Sequence, residues 1–315
     1  MIPFEYRTPK NLKEVHATLK EFGDDAKLLA GGTALIIMMK QRLVRPTCLV
    51  ALRNVRGFNG IEIKDGGLSI GGLATHRAVE SSSLVRRRLP MLAETYHHVA
   101  TLRVRNMATV GGGLAHADPN QDPPPSLIAL GATVKATSAN GSRVIPLDAF
   151  FTDYYETVLN PDEIITEVFV PKVAANTGAA YIKFLPRTAD DYATVSAAAV
   201  LTLDKTNKTI ADVRIALGSV GVTPIRATEA EAVLRGQPLK AEAFAEAGEK
   251  AKSAVDPVSD FRGSAAYKKD MAAVFVRRAL EKALADIRQQ IKAKAAPKPK
   301  PAAKKKKVVK KGKRK

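Results

Sequence analysis

Thr109-Val110-Gly111-Gly112-Gly113-Leu114-Ala115-His116-Ala117-Asp118-Pro119-Asn120-Gln121-Asp122 is the stretch on which the reading of this chain turns. Three successive glycines remove the Cβ atoms, so the backbone there can take positive φ and approach another group closely. The β-branched Thr109-Val110 pair predicts a short strand that runs into a turn. Asp118 and Asp122 follow, the second opening the proline run Pro123-Pro124-Pro125. Successive backbone N–H groups in such a turn make an anion cradle.

Nearer the N-terminus, Leu28-Leu29-Ala30-Gly31-Gly32-Thr33-Ala34-Leu35 has the same character. An apolar run enters it and a helical pattern (Leu35, Met38, Met39) leaves it. Its N–H groups then sit at a helix N-terminus, where phosphate is favoured. Neither segment carries Gly-x-Gly-x-x-Gly or the Lys-Ser/Thr end of a P-loop. Ordinary tight turns are the competing reading, since glycines cluster in turns. The pair together, with the Thr33 and Thr109 hydroxyls, points to one long ligand containing a pyrophosphate.

The 315 residues suffice for two domains. No run of about 18 apolar residues spans a membrane. The first residues, Met1-Ile2-Pro3-Phe4-Glu5, lack the basic and apolar regions of a signal peptide, so a cytoplasmic protein is expected. The single cysteine, Cys48, excludes an internal disulfide and an all-cysteine metal site. The five histidines show no metal-ligand spacing. Of the net charge of +19, residues 292–315 hold 13 Lys/Arg and no acid, leaving +6 for the rest. The basicity is a tail and not a face, which argues against a nucleic-acid-binding surface.

Asn11 caps a helix with Leu12, Val15, Leu19 and Phe22 on one face, ended by Gly23. Strand 27–30, helix 33–41 and strand 48–52 then make a small parallel α/β unit. Hairpins are expected around Asp65-Gly66-Gly67 and Asn140-Gly141. Helices are read over 75–79, 91–99 and 124–130, and a further strand over 163–171. A separate unit begins near Tyr181, with strands 181–185, 195–203 and 213–217 and helices 226–234, 240–255 and 265–292. The Lys- and Pro-rich residues beyond cannot bury a core and are expected to be disordered. Catalytic groups are few. Ser81-Ser82-Ser83 has no His-Asp partner and reads as a helix end. His116 reads as a loop hydrogen-bonder, and Asp190-Asp191-Tyr192 as either a solvated turn or a ligand contact.

At these residues the chain resembles the flavoprotein subunit of the molybdenum hydroxylase (xanthine dehydrogenase) family. Ala30-Gly31-Gly32-Thr33-Ala34 and Thr109-Val110-Gly111-Gly112-Gly113 are similar to its two FAD signatures, most of all in the carbon monoxide dehydrogenase medium subunits. The likeness runs through Lys183, Arg187, Asp191-Tyr192-Ala193, Ser259-Asp260-Phe261-Arg262-Gly263 and Arg277-Arg278-Ala279. It implies an α+β chain. A vanillyl-alcohol-oxidase (PCMH)-type FAD-binding domain over 1–176, of two α/β subdomains (about 1–56 and 57–176), precedes a smaller domain over 177–292 of an antiparallel sheet with helices. A Lys-rich tail over 293–315 lies outside the resemblance. The resemblance further implies that residues 28–35 bind the cofactor, with the FAD diphosphate on the Ala30–Leu35 loop, and that Thr109, Val110, Gly111, Gly112, Gly113 and Asp122 hold the diphosphate and ribityl side. Ile165 and Lys183 would meet the flavin, and Tyr192 would lie beside its ring. Gly113 stands where the family usually has Asn. With Cys48 alone, the iron–sulfur insertion of the 4-hydroxybenzoyl-CoA reductase branch cannot be built.

The reading is therefore an FAD-dependent oxidoreductase subunit with no catalytic base of its own. Its partners would be a molybdenum-cofactor large subunit and a small subunit with two [2Fe–2S] clusters, assembled as a dimer of heterotrimers. A free-standing flavin oxidase of the same fold is the alternative, with His116 or Asp191 as its only candidate bases. A tail-mediated nucleic-acid binder is another.

Overall fold

The computed structural model describes residues 2–186, 188 and 191–295. Arg187, Asp190 and the basic tail from residue 296 lie outside the described residues.

The N-terminal unit is a three-stranded parallel sheet in the order Glu5–Arg7, Cys48–Ala51, Ala26–Leu29. Asn11 caps the helix Leu12–Phe22 as expected, its Oδ1 accepting from Glu14 N at 3.0 Å. Val15 and Leu19 of that helix bury against Ala26, Cys48 and Val50. The strand Glu5–Arg7 was not anticipated; all three of its residues are exposed, so it carries no apolar pattern.

The second unit is a five-stranded sheet in the order Ile61–Lys64, Gly67–Gly71, Ile164–Val170, Thr133–Ser138, Gly141–Pro146, with every pairing antiparallel. Both expected hairpins form. At the first, Asp65 (φ 49°) and Gly66 (φ 75°) supply the two left-handed positions that match the strand twist. Helices between residues 76 and 129 cover this sheet, and their apolar faces form one core with it.

The third unit pairs Thr177–Phe184, Val195–Leu203, Ile210–Gly218 and Ile225–Arg226 in order, all antiparallel. The long helix Ala265–Ala295 packs on it, and the helix Ala241–Ala251 packs on that helix. A Cβ at Gly178 would overlap the Ala283 carbonyl, so this glycine sets how closely the long helix lies on the sheet. The buried helix Pro123–Ala129 touches strands of this sheet and ties the second unit to the third.

One expectation fails at the focal stretch. Thr109-Val110 is not a strand entering a glycine turn. Thr109 makes only an isolated bridge to Thr75, and Val110–His116 is an α-helix containing all three glycines. Thr109 is its N-cap, Oγ1 accepting from Gly112 N at 3.1 Å. Glycine is a poor helix former, so tertiary contacts must supply the preference.

Candidate functional site

The segment from Leu28 to Leu35 leaves the edge of the parallel sheet. Leu28 and Leu29 end the strand Ala26–Leu29, and Leu35 starts the helix Leu35–Lys40. Gly31 has no room for a side chain, because a Cβ there would overlap the Met107 carbonyl. Gly32 is left-handed (φ +72°), a conformation that costs most other residues about 1 kcal/mol. The carbonyl of Gly32 accepts from Ile36 N, and that of Ala34 from Met38 N. The backbone N–H groups of Gly32, Thr33, Ala34 and Leu35 find no acceptor among the described residues. They form a partly buried run of four donors at a helix start, as a phosphate cradle requires.

The second glycine segment lies directly beside it. Met107 and Ala108 press on Gly31, and a Cβ at Gly112 would lie 3.4 Å from Ala30 Cβ. The fold thus brings together two motifs about 80 residues apart, but they play different parts. Around Gly111–Gly113 the N–H groups are already used: Val110 N donates to Ala74 O (2.9 Å), Gly111 N to Gly72 O (2.8 Å) and Gly113 N to Thr109 O (2.9 Å). The expectation of a second free N–H cradle is corrected accordingly. These glycines instead permit close approach. A Cβ on Gly111 would meet Gly72 O at 2.8 Å and Ile165 Cβ at 3.2 Å, and one on Gly113 would meet Gln121 Oε1 at 3.0 Å. Gln121 Nε2 donates to Gly113 O at 2.9 Å, so its carboxamide fills the space a longer residue at 113 would claim. Ile165 is buried in the strand Ile164–Val170, beside a bulge.

Asp122 and Lys183 also meet, though not in an open position. Asp122 Oδ2 accepts from Lys183 Nζ at 2.9 Å, and Oδ1 from the Tyr181 hydroxyl at 2.6 Å. Lys183 Nζ donates as well to His98 O at 2.9 Å, and its side chain is 2% exposed. Burial pushes the Asp122 carboxyl upward against the opposing pull of Lys183 and Tyr181. The resemblance places both groups on the cofactor, and in this structure they also face each other. Tyr192 is more open, at 41% exposure, and its hydroxyl donates to Asp118 Oδ2 at 2.8 Å. Burial, and next Asp118, push the Tyr192 phenol upward, so it stays a neutral donor.

Two supports gave no sign in the sequence. His76 is buried, with Nε2 at 3.2 Å from Thr109 O, and burial lowers its pKa to about 4. A neutral ring that donates from Nε2 thus holds the cap of the glycine helix. Glu80, also buried, accepts from Arg105 Nε at 3.0 Å and pairs with His97 Nδ1 and with Arg77. Burial opposes the charge on Glu80, and those partners outweigh it and hold its carboxyl low. Arg105 also donates to the carbonyls of Val99 and Ala100, which fixes the turn leading to Met107. His76 and Glu80 lie one turn apart on the helix His76–Ser81, but no local pattern joins 97 and 105 to them.

Each of the two candidate bases has a close neighbouring side chain. The His116 ring lies 5.2 Å from that of Tyr155, and Asp191 accepts from Tyr192 N and Arg262. Among the described residues, no helix is long and apolar enough to cross a membrane.

Comparison with known proteins gives two family matches. Residues 2–173 match the FAD binding domain in molybdopterin dehydrogenase, and residues 180–283 the CO dehydrogenase flavoprotein C-terminal domain. The chain is 39% identical to the carbon monoxide dehydrogenase medium chain of Hydrogenophaga pseudoflava, over 90% of this chain and 99% of that one. A solved structure of carbon monoxide dehydrogenase from the same organism, lacking the Mo-pyranopterin moiety of its cofactor, superposes with a TM-score of 0.87 at 41% identity, covering 91% of this chain and 99% of that one. Quinoline 2-oxidoreductase from Pseudomonas putida 86 gives a TM-score of 0.83 at 34% identity, covering 90% and 97%.

Proposed function

The chain belongs to the FAD-binding family of the molybdopterin dehydrogenases, with the flavoprotein C-terminal domain of the carbon monoxide dehydrogenases, and from that premise we propose that it is the electron-transfer subunit of a molybdenum hydroxylase complex. It is an FAD-binding oxidoreductase subunit. In the proposed complex a large partner holds the molybdenum cofactor and oxidises the substrate, and a small partner holds two [2Fe–2S] clusters. FAD bound to this chain supplies the redox centre that links such one-electron clusters to an external acceptor. A dimer of heterotrimers in the cytoplasm is the assembly proposed.

The observation that carries this reading is the run of four N–H donors from Gly32 to Leu35, pressed against the glycine helix. Uncharged donors converging at a helix start fit a dinucleotide diphosphate. In this reading Leu28, Leu29, Ala30, Gly31, Gly32, Thr33, Ala34 and Leu35 bind the cofactor, with the diphosphate on Ala30–Leu35. Thr109, Val110, Gly111, Gly112 and Gly113 let the dinucleotide approach, and Ile165 and Tyr192 border the flavin. Asp122 and Lys183 act as one buried pair behind it. Of the two candidate bases, the His116 ring lies tilted against that of Tyr155 and Asp191 is tied to Arg262. That favours an electron-transfer role over a free-standing oxidase.

The test is co-purification. The chain should bring down one non-covalent FAD per chain, and with it two partner subunits that contain molybdenum and iron. Recovery without flavin, or with flavin but never with metal-bearing partners, would contradict the assignment.

A further inference from the structure

We propose that Arg262 is a positioning residue that holds the Tyr192 ring against the cofactor site. Ser259-Asp260-Phe261-Arg262-Gly263 would then set where that ring lies. The inference rests on the reading that FAD lies beside Tyr192.

The segment 259–263 is a tight turn fastened to the long helix Ala265–Ala295. Asp260 and Gly263 exchange both backbone hydrogen bonds at 3.1 Å, and Asp260 Oδ1 accepts from Arg262 N at 2.8 Å. The same oxygen pairs at 2.8 Å with Lys268 Nζ, which also donates to Val258 O at 2.8 Å. The Lys268 side chain is only 4% exposed, so the turn is pinned to the helix by a buried cation. Gly263 must lack a side chain, since a Cβ there would lie 2.7 Å from Tyr267 Cδ1 at a φ of +155°.

Arg262 projects from this anchored turn towards the site. Its guanidinium carbon lies 4.3 Å from the Phe261 ring centre and 5.7 Å from that of Tyr192. One terminal nitrogen pairs with Asp260 Oδ2 and the other with Asp191 Oδ1, both at 3.3 Å. Asp191 Oδ1 also accepts from Tyr192 N at 2.7 Å, so the guanidinium grips Tyr192 through its ring and through its neighbour. At the far end of the ring, the hydroxyl donates to buried Asp118, four residues before Asp122. A tyrosine this exposed is poorly fixed by packing, so these polar contacts decide where it sits. A planar guanidinium can stack on two rings while it pairs with two carboxylates; a lysine ammonium cannot do all of this at once.

The test uses the full chain purified with FAD as wild type, Arg262→Met, Arg262→Lys, Asp191→Asn and Tyr192→Ala. Fluorescence per bound flavin is the readout, because a tyrosine beside an isoalloxazine quenches it by electron transfer. Tyr192→Ala should be bright. Arg262→Met should be brighter than wild type, with the ratio of held to released Tyr192 lowered about fivefold. Arg262→Lys and Asp191→Asn should move the same way by less, with FAD stoichiometry unchanged throughout. If Arg262→Met disturbs folding, Asp191→Asn carries the same test, since it removes one ion pair at an exposed carboxylate. Bright Tyr192→Ala with Arg262→Met and Asp191→Asn as dim as wild type would overturn the role of Arg262. A Tyr192→Ala protein as dim as wild type would overturn the placement of FAD beside Tyr192, and a chain without FAD the functional reading beneath both.

Discussion

Lys183 Nζ and Asp122 Oδ2 stand 2.9 Å apart with side chains only 2% and 6% exposed, one on the strand Thr177–Phe184 and the other beside the helix Pro123–Ala129. This ion pair stitches the C-terminal sheet to the FAD-binding part, and Tyr181 OH and His98 O complete its hydrogen bonds. Removing one partner leaves an uncompensated buried charge. Lys183→Met should therefore destabilise the chain by about 3–5 kcal/mol, and adding Asp122→Leu should recover much of that loss. Chemical denaturation of the single and double variants measures it. A double variant destabilised by the sum of the Lys183→Met and Asp122→Leu effects would show that the pair is not coupled.

At the first glycine segment the two glycines should respond differently. Gly31→Ala drives a Cβ into the Met107 carbonyl and must displace backbone, so both stability and flavin content should fall. At Gly32 the nearest atom is the flexible Leu29 Cδ1 at 2.9 Å, and the strain of φ +72° costs a β-branched residue about 1–3 kcal/mol. Gly32→Val should leave a folded chain, read by circular dichroism, but strip it of FAD by placing a branched side chain beside the N–H run. A Gly32→Val chain with full flavin content would refute that placement.

The fold was largely legible where the signal is local. The Asp65-Gly66 and Asn140-Gly141 hairpins and the Asn11 cap declare themselves through turn and cap chemistry within four residues. The glycine stretch was misread because its helix depends on acceptors from elsewhere, Gly72 O and Ala74 O, which no local pattern reveals. At the site, Gly31 and Gly32 were visible as a cradle. The pairing of Asp122 with Lys183 was not, since it joins residues 61 apart and satisfies each with the other. Arg262 was marked only by resemblance, and its stacking on Tyr192 spans 70 residues.

His76 makes acid a specific stress on the site. Its folded pKa of about 4 lies below the ordinary 6.5, so the unfolded chain takes up this proton first. The contribution is fully present above pH 6.5 and is lost progressively as pH falls towards 4, by up to about 3 kcal/mol. His76→Gln keeps a donor for Thr109 O and removes the titration. Denaturation midpoints between pH 4 and 7 should thus fall less steeply in His76→Gln than in wild type. Parallel profiles would show that His76 is not the group responsible.

The most direct test of the electron-transfer assignment is anaerobic bleaching of the flavin band of the isolated FAD-loaded chain. Substrates of the xanthine, aldehyde and carbon monoxide types are each added with and without the molybdenum and [2Fe–2S] partner subunits. The isolated chain should keep its oxidised spectrum with all of them, and addition of the partners should restore bleaching by one. Rapid bleaching by the chain alone would contradict the assignment and mark it as an oxidase in its own right.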